Sequence, residues 1–466
     1  MFKTLFNTNV NWSLYVTIAL FIRLLFPQMD WYIYFAIMIF IHQFLLLFYA
    51  IGSIIPVRYL LGTFMCLQIL LGPSFAYLGA DEVQRQQYRM QIPLDEYFSY
   101  AIPAVLAFIA GLHITAGKLK GEFINQKAIS EFADQNPHLP YYMVGFGFLF
   151  SVLMQMVPAE VGFVLVLLAN LKYIGVFLIV LREKQLNVLP LVLVIASVVL
   201  SSLAGAMFHD LLTWALFIGS VMAIRYKPSV SFKTMVTVGF MLLAFLIQRL
   251  KGGYRQEVWY GNSEAGLETL EKVYEAKTEK GGFFSLQSFS ESNLRINQGF
   301  IISHIMRNVP AKIPFQNGEQ LMKIIESAIL PRVLAPNKLN AGDRDFFMQY
   351  SGMRIRRGTS MALGSPGDAY INFGRSGGVV FMFCYGLLFS MVLGYLYKAS
   401  IAYPIITLFS SLIFYYPIRP DCELQTILGH LFKATFLVYV IFLFFKRESA
   451  KQKRKPAATP NLNAVP

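Results

Sequence analysis

The stretch GSPGDAYINFGRSGGVVFMFCYGLLF, residues 364–389, passes from a polar, glycine-punctuated loop into an apolar run of membrane length. Its first half gathers Asp368, Tyr370, Asn372 and Arg375, and from Val379 onward it carries no charge. A membrane helix needs ~20 mostly apolar residues, because the bilayer offers no water to satisfy its backbone. Runs of this kind recur along the whole chain. Composition agrees: 56% of residues are hydrophobic and 14% charged, against about 25% charged in soluble domains. The chain reads as an integral membrane protein.

Twelve spans follow, near 10–27, 31–53, 57–79, 97–116, 140–157, 159–181, 188–205, 207–225, 232–250, 371–397, 400–417 and 425–445. The expected fold is all-α and polytopic, with about twelve transmembrane helices and one large, partly helical extracytoplasmic segment. Residues 1–250 form an N-terminal bundle, 251–370 the outer segment, 371–445 the last three spans and 446–466 a basic tail. The short-loop cations Lys3, Arg58, Lys118, Lys120, Lys127, Arg182, Lys184, Arg225, Lys227, Lys233 and Lys398, with the tail, all fall on one side of this alternating map. An excess of Lys and Arg marks that side as cytoplasmic, with both termini inside. FPQMDW after the first apolar run offers no small-x-small cleavage site, so that run reads as a span. The last residues, PAATPNLNAVP, have the composition of a disordered segment.

Several function classes drop out. The basic excess, 40 Lys and Arg against 26 Asp and Glu, is spread over many loops, which suits anionic lipid or an anionic substrate and not nucleic acid. Three scattered cysteines make neither a disulfide framework nor a metal site. No phosphate-binding glycine loop, metal-spaced cluster or nucleophile elbow is present, so no cofactor is expected. Any chemistry rests on polar groups at the outer membrane surface.

The outer segment should fold in part. NSEAGLETLEKVYEAKTEK and NGEQLMKIIESAILPR both have helical spacing, the second with Asn317 placed to cap it. Charge divides it unevenly. Residues 251–291 hold five basic and seven acidic residues, whereas 295–375 hold eleven basic, eight of them arginine, and five acidic. Arginine offers a planar fork suited to phosphate oxygens. Arg295, Arg307, Arg332, Arg354, Arg356 and Arg357 lie here, with His304 the segment's one histidine. Cations gathered in this way hold an anion or meet lipid headgroups. Asp368 is a potential general base, or a carboxylate that orients an arginine.

GDAYINFGRSGGVVFMFCYGLLF resembles the segment that opens a late transmembrane helix in oligosaccharide repeat-unit polymerases, the O-antigen polymerase (Wzy-type) family. NGEQLMKIIESAILPRVLAPNK and LRINQGFIISHIM are similar to further stretches of that family, in the same order. Where the family often has Glu after the glycine, this chain has Asp368. The resemblance implies a GT-C-like membrane protein of the bacterial inner membrane. Its substrate would be a polyprenyl-pyrophosphate-linked oligosaccharide at the outer face, in O-antigen, capsule or exopolysaccharide synthesis. It also implies contact with membrane lipid, and as partners a chain-length regulator and a flippase of the same pathway. On this reading Arg295, Asp368 and His304 are the catalytic candidates. Arg307, Arg332, Arg354, Arg356, Tyr370, Asn372 and Arg375 would bind substrate. Two rivals stand beside it: an O-antigen ligase, and a transporter or flippase of lipid-linked oligosaccharide.

Overall fold

The computed structural model describes residues 10–454, apart from 83, 119, 158, 183, 262, 280–285, 331–337 and 357–358. All regular structure among the described residues is helical. The first half contains α1 (Trp12–Leu25), α2 (Trp31–Ala50), α3 (Val57–Ala80), α4 (Leu94–His113), α5 (Gln126–Gln135), α6 (Leu139–Leu153), α7 (Gly162–Leu181), α8 (Val188–Ala204), α9 (His209–Tyr226) and α10 (Val230–Tyr260). Segment 251–370 adds α11 (Leu267–Glu279), α12 (Leu286–Ile296), α13 (Gly299–Asn308), α14 (Glu319–Ile329) and α15 (Arg344–Ser351). Then follow α16 (Ser365–Ala402), α17 (Pro404–Ile413) and α18 (Leu424–Arg454).

Six of these, α2, α3, α7, α10, α16 and α18, are long and apolar enough to cross a membrane. Each of the other six expected spans also falls on a helix, but α1, α6, α8 and α17 are only 14, 15, 17 and 10 residues long. Helices α4 and α9 are 20 and 18 residues long, and more polar. The expected span at 400–417 differs most. It opens in 3₁₀ turns behind Pro404 and gives way after Ile413 to a turn-rich stretch. Irregular backbone at membrane depth must be enclosed by protein, and Ile405 to Tyr415 are buried without interruption.

Helix α3 is distorted for a visible reason. Pro73 has no N–H and its ring crowds the carbonyl four residues back, and π turns flank it at Leu67–Leu71 and Ala76–Ala80. The carbonyl freed at Ile69 is taken by the Tyr97 hydroxyl at 2.8 Å. Helix α4 lies parallel to α16 and very close to it. Tyr100 donates to Pro366 O at 2.6 Å near their starts, and Thr115 meets Ser390 at 2.8 Å near the end of the contact. Between these points Gly111 and Gly386 let the backbones touch, since a Cβ at either would strike a carbonyl. Small residues at such crossings are how membrane helices pack without a hydrophobic driving force.

The contacts sort the loops into two ends. At one end Arg58 pairs with Glu122 at 3.2 Å, Arg182 and Lys184 with Asp134 at 2.5 and 3.2 Å, and Lys233 donates to Ile51 O at 2.7 Å. These cations all belong to the set expected on the cytoplasmic side. At the other end Gln298 donates to Gln68 O at 3.1 Å, Gln91 N to Ser303 Oγ at 3.1 Å, and Gly342 N to Glu423 at 2.9 Å. Segment 251–370 packs at this second end.

Candidate functional site

The stretches NGEQL and GDAYINFG form one hydrogen-bonded unit. Gln316 N and Asn317 N donate to the carbonyls of Ile371 and Asn372 at 3.0 and 2.9 Å. The Gln320 amide donates to Asp368 Oδ1 at 2.7 Å, and the Asn372 amide donates to Gln320 Oε1 and, at 2.8 Å, to Asp368 O. Asn372 Oδ1 accepts from Leu321 N at 3.2 Å. The side chain that caps α14 thus comes from α16. Asn317, expected to be the cap, sits one residue too early with a left-handed φ of 49°. Gly374 then interrupts α16 at φ 64°, ψ −160°, where a Cβ would meet the Phe315 ring at 3.2 Å. Tyr370 is buried between the rings of Tyr100 and Phe315.

Asp368 is buried and faces no arginine; its partner is Gln320. It lines a small, partly open cleft with Asp343, Glu423, Asn340, Phe346 and Phe347. Burial raises the Glu423 carboxyl above its ordinary range; the Gly342 N–H opposes this and Asp343 adds to it. The cleft therefore offers carboxylates beside aromatic faces, an arrangement able to accept hydroxyl protons.

Across the turn that carries Glu423 the charge reverses. Arg419 pairs with Asp421 at 3.5 Å, and Gln68 donates to Asp421 Oδ1 at 3.4 Å. Burial works to raise the Asp421 carboxyl, but Arg419 and Gln68 outweigh it and hold it low. Lys251, at the second end of α10, lies within electrostatic reach of Arg255, Arg295 and Arg419, and of Asp421. Arg295 Nη2 stands 3.6 Å from where a Cβ on Gly252 would be. Arg255 is fixed by Ala206 O at 2.9 Å and by the Trp259 ring, 4.6 Å away. Lys251 and Arg295 make no hydrogen bond or ion pair with described residues. Like charges gathered together repel, so an anion bound here would relieve that repulsion.

The remaining candidates scatter. His304 Nε2 is bonded to Gln87 O at 3.0 Å, and Arg307 to the Gln91 side chain, both in loop 80–93. Arg375 is spent on Glu96 and Ser99 of α4, each at 3.0 Å. Arg354 and Arg356 are exposed and unpaired among the described residues. Arg332, Arg357 and the tail from residue 455 lie outside the described residues. Sequence reading passed over Lys251 and Arg419; the visible signals were KGGYR directly after an apolar run and the polar break YYPIRPDCEL between two others. Among the described residues no three His, Cys, Asp or Glu side chains group as metal ligands would.

Burial pushes His304 down from 6.5 to about 4, with the Gln87 bond opposing and Arg307 adding to the shift. The unfolded chain therefore binds its proton more readily than the folded one. Stability from this group is complete above about 6.5 and is lost as pH falls toward about 4. The fall in Tm across that window should be smaller in His304→Gln than in wild type, measured by thermal unfolding in detergent.

A sequence model of the family Domain of unknown function (DUF8712) matches residues 53–449, most of the chain, and the chain belongs to that family. No curated protein and no solved structure matches it significantly.

Proposed function

We propose that this family member joins polyprenyl-pyrophosphate-linked oligosaccharide units into polymer, as a membrane glycosyltransferase. The observation that carries the reading is the cluster of cations around Lys251 of α10, called the recess below, where Arg419 and Asp421 belong to the same turn as Glu423 of the carboxylate cleft. The apolar body of α10 is bare, with none of its membrane-length window buried in the protein. An anion with a long apolar tail fits that combination. Lys251, Arg255, Arg295 and Arg419 would hold the pyrophosphate, and α10 would border the tail.

The chemistry follows from these positions. An acceptor hydroxyl oxygen attacks the anomeric carbon of the growing glycan, and the bond from that carbon to the pyrophosphate oxygen breaks. The pyrophosphate leaves with the electron pair, and its added charge is met by preorganised cations in a partly dry site. The hydroxyl proton passes to a carboxylate of the cleft, Asp368 or Glu423. The twelve helices would form a GT-C-like bundle in the bacterial inner membrane, with the Arg58 end cytoplasmic and segment 251–370 outside. Reporter fusions at Lys118, Lys184 and Arg225 should then read cytoplasmic, and a fusion at Asn340 external. An external reading at Arg225 would put the recess on the wrong side.

The functional test is the glycan profile of a deletion strain on a gel. A polymerase predicts products one repeat unit long. Loss of all glycan from lipid A would indicate a ligase, and carrier accumulated in the cytoplasmic leaflet a flippase.

A further inference from the structure

Resting on the polymerase reading, we infer that Gln320 and Asn372 are positioning residues: they present one oxygen of Asp368, Oδ2, to the acceptor sugar as the base of the transfer. Two backbone groups, whose part in a hydrogen bond cannot reverse, set the direction. Leu321 N, in the first turn of α14, can only donate, and it donates to Asn372 Oδ1 at 3.2 Å. Asp368 O can only accept, and it accepts from Asn372 Nδ2 at 2.8 Å. Together they hold the Asn372 amide in one orientation, with its N–H₂ also directed to Gln320 Oε1. Gln320 must then turn its own N–H₂ toward Asp368 Oδ1, 2.7 Å away. The chain runs one way, from a backbone N–H to the carboxylate.

The consequence falls on Asp368. Oδ1 receives a hydrogen bond from an amide, so it holds no proton while that bond stands. Oδ2 has no partner among the described residues and is not sealed off, although the residue as a whole is buried. It opens on the cleft that Asp368 lines. Glu423 lines the same cleft without such a lock, since the single N–H of Gly342 is shared by both of its oxygens at 2.9 Å. A proton leaving the acceptor therefore has one fixed place to go. The acceptor oxygen bonds to the anomeric carbon, the bond from that carbon to the pyrophosphate oxygen breaks with its electron pair on the pyrophosphate, and the hydroxyl proton moves to Oδ2. Gln320 and Asn372 do not line the cleft and act through Asp368. An amide donor aimed at a carboxylate stabilises the charge that a base needs.

The test measures initial coupling rates of the purified full-length chain in lipid nanodiscs, with lipid-linked repeat units extracted from the deletion strain. Gln320→Met keeps the length and removes both amide groups; it should lower kcat about tenfold or more and leave KM within about twofold. Asp368→Asn should still fold, since its oxygen can face Gln320, and should lose about a hundredfold or more. Adding Gln320→Met to Asp368→Asn should then cost no more than about twofold further, because residues that act as one unit are not additive. A purely structural link between α14 and α16 predicts instead that the two losses multiply. Gln320→Glu keeps the size and can still accept from Asn372, but a second carboxyl beside Asp368 competes for its proton. Its kcat should also fall, which tests the idea even if Gln320→Met does not fold. Wild-type kcat in either Gln320 variant, or multiplied losses in the double variant, overturns the role of Gln320 and leaves the polymerase reading standing. No coupling by wild type overturns that reading together with this inference.

Discussion

Arg295→Ala should nearly abolish polymer while the protein stays in the membrane at its normal level. Arg295 is exposed and makes no bond to a described residue, so the fold gains nothing from it there. Its guanidinium adds to the positive field around Lys251 and Arg255, and its removal should leave Tm unchanged or slightly raised. A charged hydrogen bond to phosphate, once bound substrate shields it from water, contributes about 1.5–3 kcal/mol, or roughly ten- to a hundredfold in rate. Lysine keeps the charge and loses the two-pronged geometry. Arg295→Lys should therefore leave short, sparse chains. Glycan ladders read beside a blot for the protein separate the outcomes. Wild-type ladders from Arg295→Ala would remove Arg295 from the site, and loss of the protein itself would make its role structural.

Arg58→Ala should fail in the opposite way, by loss of folded protein. Arg58 and Glu122 are 1% and 3% exposed, and their ion pair is 3.2 Å long. The guanidinium also donates to Ser390 Oγ at 3.2 Å, to Thr115 Oγ1 at 3.1 Å and to Leu112 O, tying α3 and α4 to α16. Removing one partner of a buried pair costs roughly 3–5 kcal/mol, because the other charge is left without compensation. Whole domains are stable by only about 5–15 kcal/mol. Arg58→Ala should accordingly give little monodisperse protein on size-exclusion chromatography after mild heating. Glu122→Gln, which leaves an amide oxygen for Arg58, should fall between it and wild type. A normal elution profile for Arg58→Ala would refute the clamp.

Much of the fold was legible because membrane helices announce themselves by length and apolarity, and each expected span does fall on a helix. The failure at 400–417 has a physical source. Apolar composition reports burial, and buried 3₁₀ turns inside a protein are as apolar as a helix in lipid. The motifs NGEQL and GDAYINFG were visible as motifs, but their joining was not. Hydrogen bonds between Gln320 and Asp368, 48 residues apart, leave no periodic trace. The recess was half visible. Arg295 stood out as an arginine in a basic region, whereas Lys251 was counted with an acidic one and Arg419 lay in a seven-residue break between spans. What unites them is the packing of α10, α12 and the turn after α17, which no local pattern encodes.

The most direct measurement is binding of labelled polyprenyl pyrophosphate to the purified chain in nanodiscs, against uncharged polyprenol. The recess predicts saturable binding of the pyrophosphate, weak binding of the alcohol, and a loss of tenfold or more in affinity in an Arg295→Ala, Lys251→Ala double variant, on the scale of about 1.4 kcal/mol or more. Equal binding of both lipids, unchanged in the double variant, would contradict it.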